Sequence, residues 1–164
     1  MILTELQEKL AQAHGLAIAA ATVTEKVELL TPEHELKLEL HAMHSDADDT
    51  RARCLAHEQS LGPELADELL AHANTVKEKA ADLAGVWFKA GTSPSAAWTF
   101  LAMGEAAEVA VWQALQTLAA KADDRALLEL ATWALPIQRA HLDRALSGTV
   151  RLAELRDPSG PRWG

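Results

Sequence analysis

The sequence predicts an all-α fold, an antiparallel four-helix bundle with an additional crossover helix. Three observations carry that expectation. Alanine and leucine supply much of the apolar content, while tyrosine is absent and phenylalanine occurs only twice. Such a composition favours helix over the β-branched and aromatic usage of strands. Pro and Gly signals cut the chain into five long segments, and within them apolar residues recur in steps of three and four.

The first segment runs from about Leu3 to Leu30. Its seam is Leu3, Leu6, Leu10, Ala13, Ala17, Ala20 and Val27. It ends at Thr31-Pro32, where Thr31 is expected to cap the second helix with Pro32 at its first position. The second segment carries the seam Leu36, Leu40, Met43, Ala47, Thr50, Cys54, His57 and Leu61, and stops at Gly62-Pro63. A third runs to about Ala90 with Leu65, Leu69, His72, Val76, Leu83 and Val86 on one face. Thr92 or Ser93 caps the fourth, which reaches Ala122; Asp123 caps the fifth, which ends at Ser147-Gly148. Short links after the first and fourth segments imply two antiparallel hairpins bridged by the third segment. Residues 1–148 then form the bundle, and 149–164 a polar tail.

Composition also excludes classes of function. A formal charge of −9 leaves no basic stripe for nucleic acid and disfavours anionic membranes. The apolar stretch from Ala96 to Leu118 holds Glu105 and Glu108, so it reads as a buried core helix rather than a membrane span. Cys54 stands alone, and the N-terminus lacks the pattern of a signal peptide, which suits a cytoplasmic setting.

The chemistry lies in polar residues set among apolar ones. Glu108 falls inside the apolar face of the fourth segment, with Glu105 near its edge. Gln138 and His141 occupy the apolar face of the fifth, three residues apart and so on one side. Glu108 and Gln138 lie almost equally far from the turn at Ala122-Asp123, so an antiparallel pair brings Glu108 level with Gln138 and His141. An unpaired carboxylate there costs several kcal/mol, so Glu108 is expected within hydrogen-bonding reach of one of them, directly or through water or metal. A core hydrogen bond, a metal site and an acid/base site all remain open. His41, His44 and Asp48 form a second candidate metal set along one helix face, and His14 sits at the edge of its seam. Pro136 is expected to mark a kink.

In its two hairpins, its helical crossover and its Glu-bearing fourth segment, the chain resembles the ferritin-like superfamily over about residues 3–147. It is most similar to the YciF-type bacterial ferritin-like stress proteins, notably in His44-Ser-Asp-Ala-Asp-Asp-Thr-Arg followed by Leu61-Gly62. The resemblance implies a metal site in which Glu108 matches a lone Glu and Gln138-Arg-Ala-His141 matches a Glu-x-x-His motif. Ala17 and Ala47-x-x-Thr50 stand where the other hairpin's ligands belong.

Three readings follow. One is a ferritin-like protein holding a single divalent ion (iron, manganese or zinc) through Glu108 and His141, with Gln138 and Glu105 beside them, and no full di-iron centre. Another is a non-enzymatic bundle with a vestigial site, acting through self-association, as a dimer, or through a partner. A cofactor or lipid held among Trp98, Trp112 and Trp133 is a third.

Overall fold

The computed structural model describes residues 2–160, which contain five α-helices and no strand. These are α1 (Glu5–Leu30), α2 (His34–Ser60), α3 (Pro63–Trp87), α4 (Pro94–Lys121) and α5 (Arg125–Glu154). No helix among the described residues is long and apolar enough to cross a membrane. α4 runs unbroken through Gly104, and α5 through Pro136. Pro136 lies on the exposed face of α5, so the carbonyl its ring frees can meet solvent.

Several helix ends differ from the sequence reading. α1 starts at a capping box: Gln7 N donates to Thr4 Oγ1 at 3.3 Å, and Thr4 N donates to Gln7 Oε1 at 2.8 Å. Thr31 does not cap α2, which begins at His34. It is buried, donates to the Val27 carbonyl, and accepts a hydrogen bond from Trp98 Nε1 at 2.9 Å. That tertiary bond, absent from local sequence logic, decides its role. α3 ends at Trp87 rather than Ala90. Ser93 caps α4. Asp123 takes a left-handed conformation (φ 55°) that makes the turn, and Asp124 caps α5 through Leu127 N. α5 also passes Ser147-Gly148 and continues to Glu154, turning the first part of the expected tail into helix. Gly148 is a packing glycine rather than a stop: a Cβ there would collide with the Trp98 indole. Residues 161–164 of that tail lie outside the described residues.

α1 packs on α2, α4 on α5, and the pairs close into a ring through α1–α4 and α2–α5; α3 lies outside, mainly against α1. The Trp98–Thr31 bond joins the start of α4 to the end of α1. Arg151, near the end of α5, reaches Glu33 and Glu35 beside the start of α2 at 3.7 and 3.4 Å. Neighbours in the ring are therefore antiparallel. α3 approaches α1 so closely at Gly15 that a Cβ would strike Ala73 and Val76. α3 packs mainly on α1, with smaller contacts to α2 and α4, so part of its apolar face stays open: Leu69 is buried, but Leu83 and Val86 are exposed.

The core divides into two apolar clusters. One includes Leu10, Cys54, Trp112, Leu115, Leu127 and Ala131. The other includes Val27, Leu40, Met43, Trp98, Leu101 and Leu152. Between them lies a layer containing Ala17, Ala47, Thr50, Glu105, Glu108, Gln138 and His141, all buried.

Candidate functional site

Each side chain reaches this layer through helical phase. Glu105 and Glu108 sit one turn apart on the buried side of α4, and Gln138 and His141 on that of α5. Ala17 and Ala47 present small apolar groups from the opposite hairpin, so the layer is acid-rich on α4 and bare on α1.

On α4, the direct pairing to His141 comes from Glu105. No hydrogen bond joins Glu108 to Gln138 or His141 among the described residues; Glu105, which the sequence puts near the edge of the face, meets His141 instead. His141 Nδ1 lies 3.5 Å from Glu105 Oε2, close enough for charge attraction but outside a well-formed hydrogen bond. Its other nitrogen, Nε2, is 2.9 Å from Asp46 Oδ2 on α2. The imidazole thus stands between two carboxylates from different helices. The reason is lateral: the residue count from the turn sets height along the bundle, but rotation about each helix axis decides which acid faces α5.

Electrostatics follow from this geometry. Burial lowers the His141 pKa, yet Glu105 and Asp46 outweigh it and leave it raised above 6.5, favouring imidazolium. Burial, reinforced by the charge of Glu105, pushes Glu108 well above the ordinary carboxylate range and favours its protonated form. Burial and the nearby Glu58 and Glu108 push up the Cys54 thiol as well, making it an inert core group. Glu58 Oε1, Glu105 Oε2 and Gln138 Oε1 are buried without a well-formed hydrogen bond, Glu105 Oε2 having only the 3.5 Å approach of His141 Nδ1.

A second buried pair is not legible in the sequence. His14 Nδ1 bonds Glu58 Oε2 at 2.9 Å, with both side chains enclosed. The seam of the second segment points His57 inward; the structure buries Glu58 and leaves His57 half-buried. A step of four from Cys54, rather than three, leads to it. Asp46 likewise falls on the flank of that seam by sequence, although it lies one step of three from the buried Met43.

The other candidate ligands disperse. His41 turns to Glu28 at 3.0 Å on the exposed flank. His44 Nδ1 donates to the Ala21 carbonyl at 2.9 Å, while Asp48 lies 3.4 Å from His44 Nε2 and 3.3 Å from Arg51. Among the described residues, no three His, Cys, Asp or Glu side chains converge as a metal-holding group. The tryptophans also separate: Trp98 packs against Gly148, Trp112 lies in the other cluster, and Trp133 stacks under Arg53 at 4.2 Å.

The polar layer is reached from outside by a cleft. This cleft, of about 440 Å³ between α1, α3 and α4, has mostly apolar walls and includes both Glu105 and Glu108 in its lining. Comparison with protein-family models, curated proteins and solved structures gives no match for this chain.

Proposed function

We propose that this chain is a ferritin-like helical bundle that acts by binding rather than by redox catalysis, its central layer stabilised by internal ion pairing and a retained proton in place of a di-metal pair. The carrying observation is the position of His141, with one ring nitrogen toward Asp46 and the other toward Glu105. An imidazole engaged at both nitrogens balances charge and has no lone pair free for a metal. Ala17 and Ala47 add no oxygen ligands from the facing hairpin, whereas iron or manganese pairs require several.

A second reading has its own support. Glu105 and Glu108 are both buried, and Glu105 Oε2 lacks a donor, so one divalent ion could replace the proton on Glu108 once His141 turns. Metal analysis of protein purified without chelator, followed by cobalt(II) titration monitored by visible absorption, separates the two. The binding reading expects substoichiometric metal and no ligand-field bands. Stoichiometric metal that disappears in Glu105→Ala and His141→Ala overturns it.

A further inference from the structure

The cleft between α1, α3 and α4 combines features that together define a ligand class. Its walls include Val23, Val76, Leu83 and Met103. Leu83 and Met103 are about half exposed and make an apolar mouth. Among the described residues, the titratable groups in its lining are Glu105 and Glu108, both buried, and the exposed Lys79. Its volume, about 440 Å³, lies within the usual range for small-molecule sites.

The carboxylates decide what the head of a ligand must be. An ionised carboxylate only accepts hydrogen bonds, and Glu105, buried in the cleft lining, is engaged at Oε2 only by the 3.5 Å ion pair with His141. The layer sets Asp46, Glu105 and Glu108 against His141 as the one basic group among them, so it has room for a cation and repels an anion. An ammonium group supplies three donors and no acceptor. The apolar walls offer a divalent metal few further oxygen ligands, but they suit an aliphatic or aromatic body. Lys79 at the rim would repel a second ammonium at the mouth.

We propose that this cleft binds a small amphipathic monoamine, its ammonium group at Glu105 and Glu108 and its apolar body along the walls toward Leu83 and Met103. The inference deepens the binding reading by naming a ligand class, and the two fail separately. Stoichiometric metal would overturn the first and leave amine binding measurable, whereas indifference to the ammonium head overturns only the second. Without a ligand, a proton neutralises Glu108. Amine binding displaces it, so affinity rises with pH while the amine stays charged, up to a pKa of roughly 10 for an alkylammonium.

The test is isothermal titration of the whole chain with n-octylamine, 1-octanol and octanoate, each below its self-association limit. Octylamine should bind at one site per chain and release a proton, seen as a dependence of the heat on the buffer's ionisation enthalpy. Octanol should bind weaker by roughly tenfold or more, and octanoate not at all. Glu108→Gln keeps the shape of the protonated acid and should weaken octylamine by roughly tenfold while leaving octanol unchanged. Gly104 lines the cleft with open space around its Cβ position. Gly104→Leu, with its retained helicity checked by circular dichroism, should weaken both amine and alcohol. Equal affinities for octylamine and octanol, undiminished amine binding by Glu108→Gln, or undiminished binding by Gly104→Leu would each overturn the proposal.

Discussion

Two buried histidines face carboxylates in this bundle, and their surroundings differ. His14 and Glu58 form a matched pair, one base to one acid, enclosed where α1 meets α2. His141 instead sits between Asp46 and Glu105 with Glu108 close by, and the cleft reaches that group from outside. The first arrangement is one acid to one base. Each group keeps a buried carboxylate oxygen without a donor, Glu58 Oε1 and Glu105 Oε2, but the second also holds more acid than base and lines a cleft. The difference teaches that a buried ion pair is not itself a sign of function; surplus charge with a route to solvent is the more telling feature.

The largest expected effect tests the closed pair. Glu58→Ala orphans a buried imidazole and should destabilise the fold by about 3 kcal/mol, the upper end for an unsatisfied buried polar group. His14→Ala should cost a comparable amount, since it strands the carboxylate. In a double-mutant cycle read by urea denaturation, the pair should show coupling of roughly 1–3 kcal/mol. Additive losses would break the comparison by showing that His14 and Glu58 act independently.

The open group should carry the pH dependence. A histidine whose folded pKa is raised contributes stability that is complete below its unfolded pKa, near 6.5, and is lost as pH rises through the folded value. Glu108 works in the same direction: its raised folded pKa favours the native state below about 4.5 and progressively less above it. The urea midpoint should therefore fall between about pH 6 and about pH 8.5, below the range where the Cys54 thiol contributes. His141→Gln should flatten this slope. A wild-type midpoint independent of pH would contradict the geometry around His141.

The smallest effect sharpens the contrast further. Glu108→Gln replaces a protonated acid with a neutral isostere, so its cost should stay below about 1 kcal/mol. It should unfold at the same urea concentration as wild type near pH 5 and at a higher one near pH 8, because only the wild type must retain a proton at that position. A loss comparable to that of Glu58→Ala would mean that Glu108 is bound to a partner as tightly as His14 is to Glu58.

Legibility in the sequence follows the range of the forces involved. The Thr4-x-x-Gln7 box, the Ser93-Pro94 start and the positive-φ Gly62 act within one or two helical turns and are written locally. Burial of Glu108, Gln138 and His141 is legible too, because a period of 3.6 assigns each a face. Glu105 is nearly so, at the boundary of that face. Asp46 and Glu58 escape because both lie beside the seam rather than on it, where a rotation smaller than one residue's arc moves a side chain from solvent to interior. Thr31 and Gly148 mislead for a related reason: each resembles a helix boundary by type, while its actual constraint is the Trp98 indole, far away in sequence.

The sequence by itself therefore determined the five helices, the apolar stripe on each and the presence of carboxylates where only apolar groups are cheap. Propensity, capping and periodicity are short-range, and they act the same way whatever the helix later packs against. Only the tertiary structure decided which acid faces His141, that α3 packs along α1 while leaving a cleft beside α4, and that this cleft reaches Glu105 and Glu108. Those outcomes depend on the rotation and spacing of whole helices, set by close contacts such as Gly15 against α3 and Gly148 against Trp98, which no single segment specifies.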